Sequence, residues 1–238
     1  MIYLDELCNN DTSMHFLRRL SENENACVIV DNKNAFLFFR PDIGLAVAEA
    51  RRGWEDLIIK DLYVLHSTYI LTSTDYIQNE FDTSYKTKMA VLFQTEPSYK
   101  MSLKQVREFI SQCCIIREPT MDDCRMILEV IDKFRTGISV NELHNLYMNH
   151  CIRVLTVHDV LVGFSVLDSD RILRYVYISP EYRGKSFGVY LSRITAESCN
   201  SMNMYTFCPV ADSNCVFVFM AAGYEMLTSD FCLLSKNC

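Results

Sequence analysis

The chain is poor in glycine and proline, with seven and five in 238 residues. That is too few for a collagen-like or low-complexity segment. No apolar run approaches the ~18 to 20 uninterrupted residues of a membrane helix. Met1-Ile2-Tyr3-Leu4-Asp5-Glu6 also lacks the basic region before an apolar stretch that opens a secretory leader. No two of the eleven cysteines stand in Cys-x-x-Cys spacing, which argues against a zinc site and a disulfide framework. Thiols in runs such as Cys27-Val28-Ile29-Val30 and Cys151-Ile152-Arg153-Val154 read as small hydrophobes in a reducing cytoplasm. Neither half is basic: residues 1–114 carry 12 basic against 16 acidic side chains and residues 115–238 carry 11 against 14, for a net charge of −7. A nucleic-acid binder would show a basic domain. The expectation is a soluble cytoplasmic protein with no metal and no nucleic-acid or membrane partner, either a monomer or a homodimer.

What the chain does have is apolar content, 50% of its residues in 27.6 kDa, enough for one large domain or two of about 100 to 150 residues. The periodicity divides it near residue 114. In 115–238, Thr120 stands three residues before Asp123 and opens a helix to about 134. Ser139-Val140-Asn141-Glu142 is a capping box that opens a shorter helix carrying Leu143, Leu146 and Tyr147. From Cys151 the period changes to two, giving strands on either side of His158-Asp159 and a third from Arg171 to Ser179 that stops at Pro180. A helix from Phe187 to about 199 and a strand at 204–207 follow. Another helix, capped by Asp212 or Ser213 and ending at Gly223, leads to a last strand pair around 224–227 and 231–234. The order is β-α-α-β-β-β-α-β-α-β.

Residues 1–114 read as a smaller α+β lobe. A helix near 12–21 precedes strands 26–30 and 35–39, joined by Asp31-Asn32-Lys33-Asn34. An apolar run at 89–93 and a helix over 102–112 close it. Arg51-Arg52-Gly53-Trp54 lacks a following helix start, so the lobe is expected to bind no cofactor and to wall a cleft or form a dimer surface. Trp54 and the aromatic run from Tyr63 to Tyr85 either line that cleft or form the lobe's core.

The stretch with chemical character is Val176-Tyr177-Ile178-Ser179-Pro180-Glu181-Tyr182-Arg183-Gly184-Lys185-Ser186-Phe187-Gly188. It runs from a strand through a proline stop into a helix with small residues at its start, a place where unpaired N–H groups and the helix dipole favour a phosphate. Arg171, Arg174, Arg183, Lys185 and Arg193 face only Glu181 between 171 and 193, a local +4 that suits an anionic ligand.

These residues resemble the GNAT superfamily of acyl-CoA-dependent N-acyltransferases. Its pyrophosphate loop follows Arg/Gln-x-x-Gly-x-Gly/Ala, and Arg183-Gly184-Lys185-Ser186-Phe187-Gly188 fits with Ser186 in place of the first motif glycine. Ile116-Arg117-Glu118-Pro119-Thr120, Asp122-Asp123 and Ala222-Gly223-Tyr224-Glu225 match as well, so the resemblance covers 115–238. It implies an α+β or α/β fold with a mixed, mostly antiparallel sheet flanked by helices, and a first lobe that is a degenerate GNAT-like half. It implies an N-acetyltransferase that takes acetyl-CoA as acyl donor and a primary amine as acceptor, by direct attack in a ternary complex. Val176, Tyr177 and Ile178 would pair with the pantetheine arm and direct an N–H at the thioester oxygen, where amine attack builds negative charge. Arg183, Gly184, Lys185, Ser186, Phe187 and Gly188 would hold the pyrophosphate.

The catalytic positions depart from the family. The strand before the loop offers Arg174 and Tyr175 where a carboxylate base is common, and Phe219 falls where a tyrosine acid would stand, which leaves its ring as a cofactor contact. Tyr224 and Tyr175 are the candidate acids, although a tyrosine on a strand also packs. Asp212 falls at the helix's asparagine position, and a small register shift would make Asn214 a cofactor contact. Cys215 lies near the expected thioester without a histidine nearby in sequence. His144 and His150 suit no shared site, and Glu142 reads as the capping-box partner. The rival reading is a non-catalytic or sensory GNAT-like module that keeps the CoA cup without acid or base.

Overall fold

Asn32 accepts from the backbone N–H groups of Asn34 and Ala35, both at 2.9 Å, and this side-chain turn sets the first hairpin of the chain. The computed structural model describes residues 11–67, 69–81, 84, 87–94, 114–133, 139–168, 171–197, 204–209, 212–226 and 232–235. Pro97 and the helix expected over 102–112 lie outside them. The chain divides into two compact units, Met1–Leu92 with Phe207–Val216 and Met226–Cys238, and Phe93–Thr206 with Phe217–Glu225.

The first unit contains α1 (Asp11–Glu22), β1 (Cys27–Asn32), β2 (Ala35–Arg40), β3 (Leu45–Ala50), α2 (Asp56–Leu65), β4 (Tyr69–Thr72), α3 (Asp75–Phe81) and β5 (Thr87–Gln94). Its strands lie in the order β1-β2-β3-β4-β12-β5, where β12 is Cys232–Ser235. The residues expected to form half of a terminal strand pair thus stand between β4 and β5, antiparallel to both. Ala35 and Leu37 of β2 and Ala46 and Ala48 of β3 meet Ile58 and Leu62 of α2 in a buried cluster, the i, i+4 stripe of a helix docked on alternate strand positions.

One sequence expectation is corrected in this unit. A helix does follow Arg51-Arg52-Gly53-Trp54: Gly53 takes φ +87°, and α2 starts three residues later. The Gly53 N–H is held at 2.7 Å by the Glu55 carboxylate. Of the aromatic residues expected to line a cleft or form the lobe's core, Trp54, Tyr63 and Tyr76 are exposed while Phe81 is buried.

β3 and β4 pair in parallel from Leu45–Tyr69 to Val47–Leu71. Beyond that point the buried Glu49 carboxylate accepts from Ser73 N at 2.5 Å, Ser73 Oγ at 2.6 Å and Thr74 Oγ1 at 3.2 Å. Burial pushes its pKa up to about 7, and the bonds from Ser73 and Thr74 only partly oppose it.

The second unit contains β6 (Cys114–Arg117), α4 (Met121–Lys133), α5 (Val140–Met148), β7 (Ile152–Val157), β8 (Val160–Leu167) and β9 (Ile172–Ile178). A single 3₁₀ turn (Pro180–Tyr182) leads to α6 (Phe187–Glu197), β10 (Met204–Pro209), α7 (Ser213–Ala221) and β11 (Glu225–Met226), with β5, β10, α7 and β11 contributing residues to both units. The order is β10-β9-β8-β7-β6, antiparallel except for β9–β10.

His158 and Asp159 both take positive φ, 49° and 63°, the backbone of the two-residue turn whose twist suits a hairpin. Thr120 and Asp123 cap α4 reciprocally: Asp123 Oδ2 accepts from Thr120 N at 2.7 Å, and Asp123 N donates to Thr120 Oγ1 at 3.3 Å. Burial works against the Asp123 carboxylate, but Arg117 and Thr120 hold its pKa below the usual range.

Two apolar clusters cover the faces of this sheet. Ile127, Ile131, Leu143 and Leu146 of α4 and α5 pack on Ile152, Val154, Phe164 and Val166, with Tyr147, Tyr175 and Tyr177 at the margin. Phe187 and Leu191 of α6 pack on Leu155, Val157 and Val162, with Val176 and Ile178 at the margin. The architecture is α+β, with mixed, mostly antiparallel sheets flanked by helices, as the sequence predicted.

Candidate active site

Strand β9 carries the residues that matter, and its two edges differ. Val176, Tyr177 and Ile178 pair with Ser165, Phe164 and Gly163 of β8. Parallel pairing with β10 is confined to Ile172–Tyr205 and Leu173–Thr206. The C-terminal part of β9 is the stretch predicted to receive the pantetheine arm. Val176 and Ile178 face the α6 side, and Tyr175 and Tyr177 face the α5 side.

After β9, Pro180 opens the 3₁₀ turn and the chain reaches α6 through two left-handed residues, Gly184 at φ +75° and Ser186 at φ +61°. Left-handed backbone is cheap for glycine and costs another residue about 1–2 kcal/mol, so Ser186 occupies a glycine's conformation at the motif position where it replaces one. The helical ladder begins with Tyr190 N donating to Ser186 O at 3.0 Å. The N–H groups of the first turn therefore lie at the loop, an arrangement suited to phosphate oxygens. Arg183, Gly184, Lys185 and Ser186 are exposed. Arg183 Nε donates to Ile178 O at 3.0 Å, and Lys185 Nζ lies 5.2 Å from the centroid of the Tyr182 ring. Phe187 is buried, anchoring the helix start. A Cβ on Gly188 would stand 3.4 Å from Val218 Cγ1, so α7 packs closely on the first turn of α6.

The local +4 read from sequence is smaller in space. Arg174 is paired with Glu142, and the buried Arg193 with Glu197 at 3.3 Å. Arg183 and Lys185 are the exposed cations of the loop.

The remaining predicted residues are placed as follows. Tyr224 is buried, with its ring edge-on to the buried Phe219 at 5.4 Å between centroids. Asn214 is exposed in the first turn of α7, where Asp212 Oδ1 accepts from Cys215 N at 3.0 Å. Cys215 shares a thiol–thiol hydrogen bond with Cys208, which holds its pKa below the ordinary thiol range against burial and Asp212. Tyr175 lies beside Arg174, whose guanidinium is 5.8 Å from the ring centroid.

Sequence reasoning gave Glu142 the wrong partner. Ser139 Oγ does accept from Glu142 N at 3.1 Å, but the Glu142 carboxylate leaves the cap and pairs with Arg174 of β9. The cause is a bulge. Val166 pairs with Tyr175 and the adjacent Leu167 pairs with Leu173, so Arg174 is an extra residue in β9. Among the described residues no cluster of His, Cys, Asp or Glu could hold a metal ion, and no described helix is long and apolar enough to cross a membrane.

No protein-family model matches the sequence, and comparison with curated proteins finds no match. Solved structures do match. A GCN5-related N-acetyltransferase-like protein from Streptococcus suis is similar over 97% of this chain and 96% of its own, with a TM-score of 0.57 at 11% identity. A GCN5-related N-acetyltransferase from Sphaerobacter thermophilus is similar over 95% and 86%, with a TM-score of 0.54 at 12% identity. A GNAT-family acetyltransferase from Colwellia psychrerythraea is similar over 98% and 92%, with a TM-score of 0.53 at 11% identity. The chain has the fold of the GNAT acetyltransferases.

Proposed function

We propose that the protein transfers an acetyl group from acetyl-CoA to a primary amine by direct attack in a ternary complex. The observation that carries this reading is the loop from β9 to α6, where left-handed backbone at Gly184 and Ser186 leads into a helix N-terminus flanked by exposed Arg183 and Lys185. Apart from its own chain neighbours, Gly184 has no atom within 4 Å of where a Cβ would be, so the loop leaves open space for a bulky anion, and the residues present fit a pyrophosphate. In this reading the N–H groups at 184–188 and the Arg183 and Lys185 cations hold the pyrophosphate. The β9 backbone over Val176–Ile178 aligns the pantetheine arm. The acyl donor brings an activated thioester, and the protein's contribution is alignment and a hydrogen bond to the carbonyl oxygen as charge builds on it. Tyr175 and Tyr224 are proposed as proton donors to the departing thiolate, with Asn214 and Phe219 as cofactor contacts.

In the first unit the corresponding features are filled by the chain's own carboxylates. Glu49 spans the strands beyond the last β3–β4 pair, and Glu55 takes the Gly53 N–H. This supports a degenerate lobe without a cofactor site of its own.

Isothermal titration with acetyl-CoA tests the cofactor, and thiol release over a panel of amines tests the transfer. Saturable binding with amine-dependent thiol release supports the reading, and no heat at high micromolar acetyl-CoA overturns it. A second reading, a non-catalytic CoA-binding or sensory module, is favoured by the ion-paired Arg174 in place of a strand carboxylate. It predicts binding without thiol release for every amine.

A further inference from the structure

The bulge in β9 does more than spoil a capping box. Strict alternation would put Arg174 and Tyr175 on opposite faces of the sheet, and the extra residue re-aims the arginine. Its guanidinium reaches Glu142 on α5 and lies against Tyr175. Tyr147, Tyr175 and Tyr177 border the same apolar cluster beneath α4 and α5, and Tyr177 stacks at a tilt on Phe164 with 5.4 Å between centroids. Burial works against the Arg174 charge, but Tyr175 and the Glu142 and Asp168 carboxylates raise its pKa above the ordinary value. Glu142 is the more accessible partner, its side chain 28% exposed against 14% for Arg174. Only its Oε1 is engaged, and Oε2 has no hydrogen-bond partner among the described residues.

From this juxtaposition we infer a subsite for the acceptor, resting on the acyltransferase reading. Glu142 Oε2 receives the N–H donors of a protonated primary amine, which gives up one proton to solvent before its lone pair attacks the thioester, and the rings of Tyr147, Tyr175 and Tyr177 flank the amine's alkyl or aryl part. Three features suit that ligand class. The open Oε2 of the Glu142 carboxylate accepts N–H donors. Tyrosine faces attract ammonium groups and cover apolar chain. Arg174 fixes the carboxylate before the ligand arrives, so less side-chain freedom is lost on binding. Arg174 stands two residues before Val176, roughly 7 Å along the strand, which sets the subsite beside the stretch proposed to align the acyl donor. The geometry makes Glu142 a specificity residue and Arg174 its positioning residue.

The test uses the full chain with acetyl-CoA and three probes: benzylamine, tyramine and spermidine. Calorimetry first compares acetyl-CoA binding in the parent and in Glu142→Gln, which should agree within about twofold because neither residue is part of the loop. In thiol release, Glu142→Gln should raise the KM of an accepted amine about tenfold or more with kcat little changed, and Glu142→Asp should recover part of the loss. Benzamidinium, which keeps the charge and N–H donors but is too weak a nucleophile to be acylated, should inhibit the parent competitively with the amine. That measurement decides the matter if Glu142→Gln fails to fold. An unchanged KM in a folded Glu142→Gln, no inhibition by benzamidinium, or a parent that binds acetyl-CoA but accepts none of the three amines overturns the subsite and leaves the cofactor reading standing. A parent that does not bind acetyl-CoA overturns the acyltransferase reading itself.

Discussion

Arg183 Nε donates to the carbonyl oxygen of Ile178 at 3.0 Å, so the side chain that heads the loop is tied to the last residue of β9. This hydrogen bond links the backbone proposed to align the acyl donor with the cation proposed to meet its pyrophosphate. The partial positive charge and unpaired N–H groups at the start of α6 favour an anion at the same loop.

Ser186 bears the conformational cost of that loop. At φ +61° a serine is strained by about 1–2 kcal/mol, and a glycine is not, though glycine gives back part of the gain through its freer unfolded state. Ser186→Gly should stabilise the protein by about 1 kcal/mol and leave acetyl-CoA affinity unchanged or improved. Urea unfolding with a parallel calorimetric titration checks both. A less stable variant would mean that the serine side chain has a role beyond filling the position.

Gly163 of β8 should tolerate no side chain. A Cβ there would stand 2.6 Å from Tyr177 O and 2.6 Å from Ile178 Cδ1. The isoleucine tip can turn away, but the carbonyl is backbone of β9 and cannot. Gly163→Ala should destabilise by about 1–3 kcal/mol, the usual cost of overpacking. It should also weaken acetyl-CoA binding, because the displaced backbone is the stretch proposed to align the acyl donor. Denaturation midpoints and the same titration measure the two effects, and an unaffected Kd would separate that stretch from the cofactor.

Glu49 should make stability depend on pH in an unusual direction for a carboxylate. Its pKa is raised from 4.5 to about 7 by burial, so the native state keeps the proton over a range where the unfolded chain has lost it. The favourable contribution is complete below about pH 4.5, declines as pH rises toward 7, and is absent above that, a change of about 3 kcal/mol. Glu49→Gln, which carries no charge at any pH, should flatten the profile over that window. Urea unfolding of both proteins at pH 5 and pH 7.5 gives the comparison, and parallel profiles for the two would show that Glu49 titrates normally.

The features that the sequence revealed were local ones. The hairpin turn at His158-Asp159, the stop at Pro180, the paired cap of Thr120 and Asp123, and the small residues opening α6 each depend on a few neighbouring residues whose backbone preferences agree. The features that were missed depend on distant partners. Nothing within Ile172–Ile178 announces that Arg174 is an extra residue, because a bulge is a mismatch with β8. Glu142 in a Ser-x-x-Glu pattern reads as a cap until Arg174 is seen beside it. The strand Cys232–Ser235 looks like one arm of a local pair, yet it pairs with β4 and β5, more than 130 residues earlier in the chain. The helix α2 did carry a signal, Ile58, Leu62 and Leu65 at helical spacing, but a short apolar run among aromatic residues is equally a strand pattern.

The central claim is that the N-terminal end of α6 holds the pyrophosphate of acetyl-CoA. Calorimetric titration of acetyl-CoA into the parent and Arg183→Glu tests it most directly. The variant keeps a charged, exposed side chain and reverses its sign at the loop. The account predicts saturable binding by the parent and a loss of at least about tenfold in the variant, the effect of turning a charge-assisted contact into repulsion. A folded Arg183→Glu that binds acetyl-CoA as tightly as the parent would contradict it.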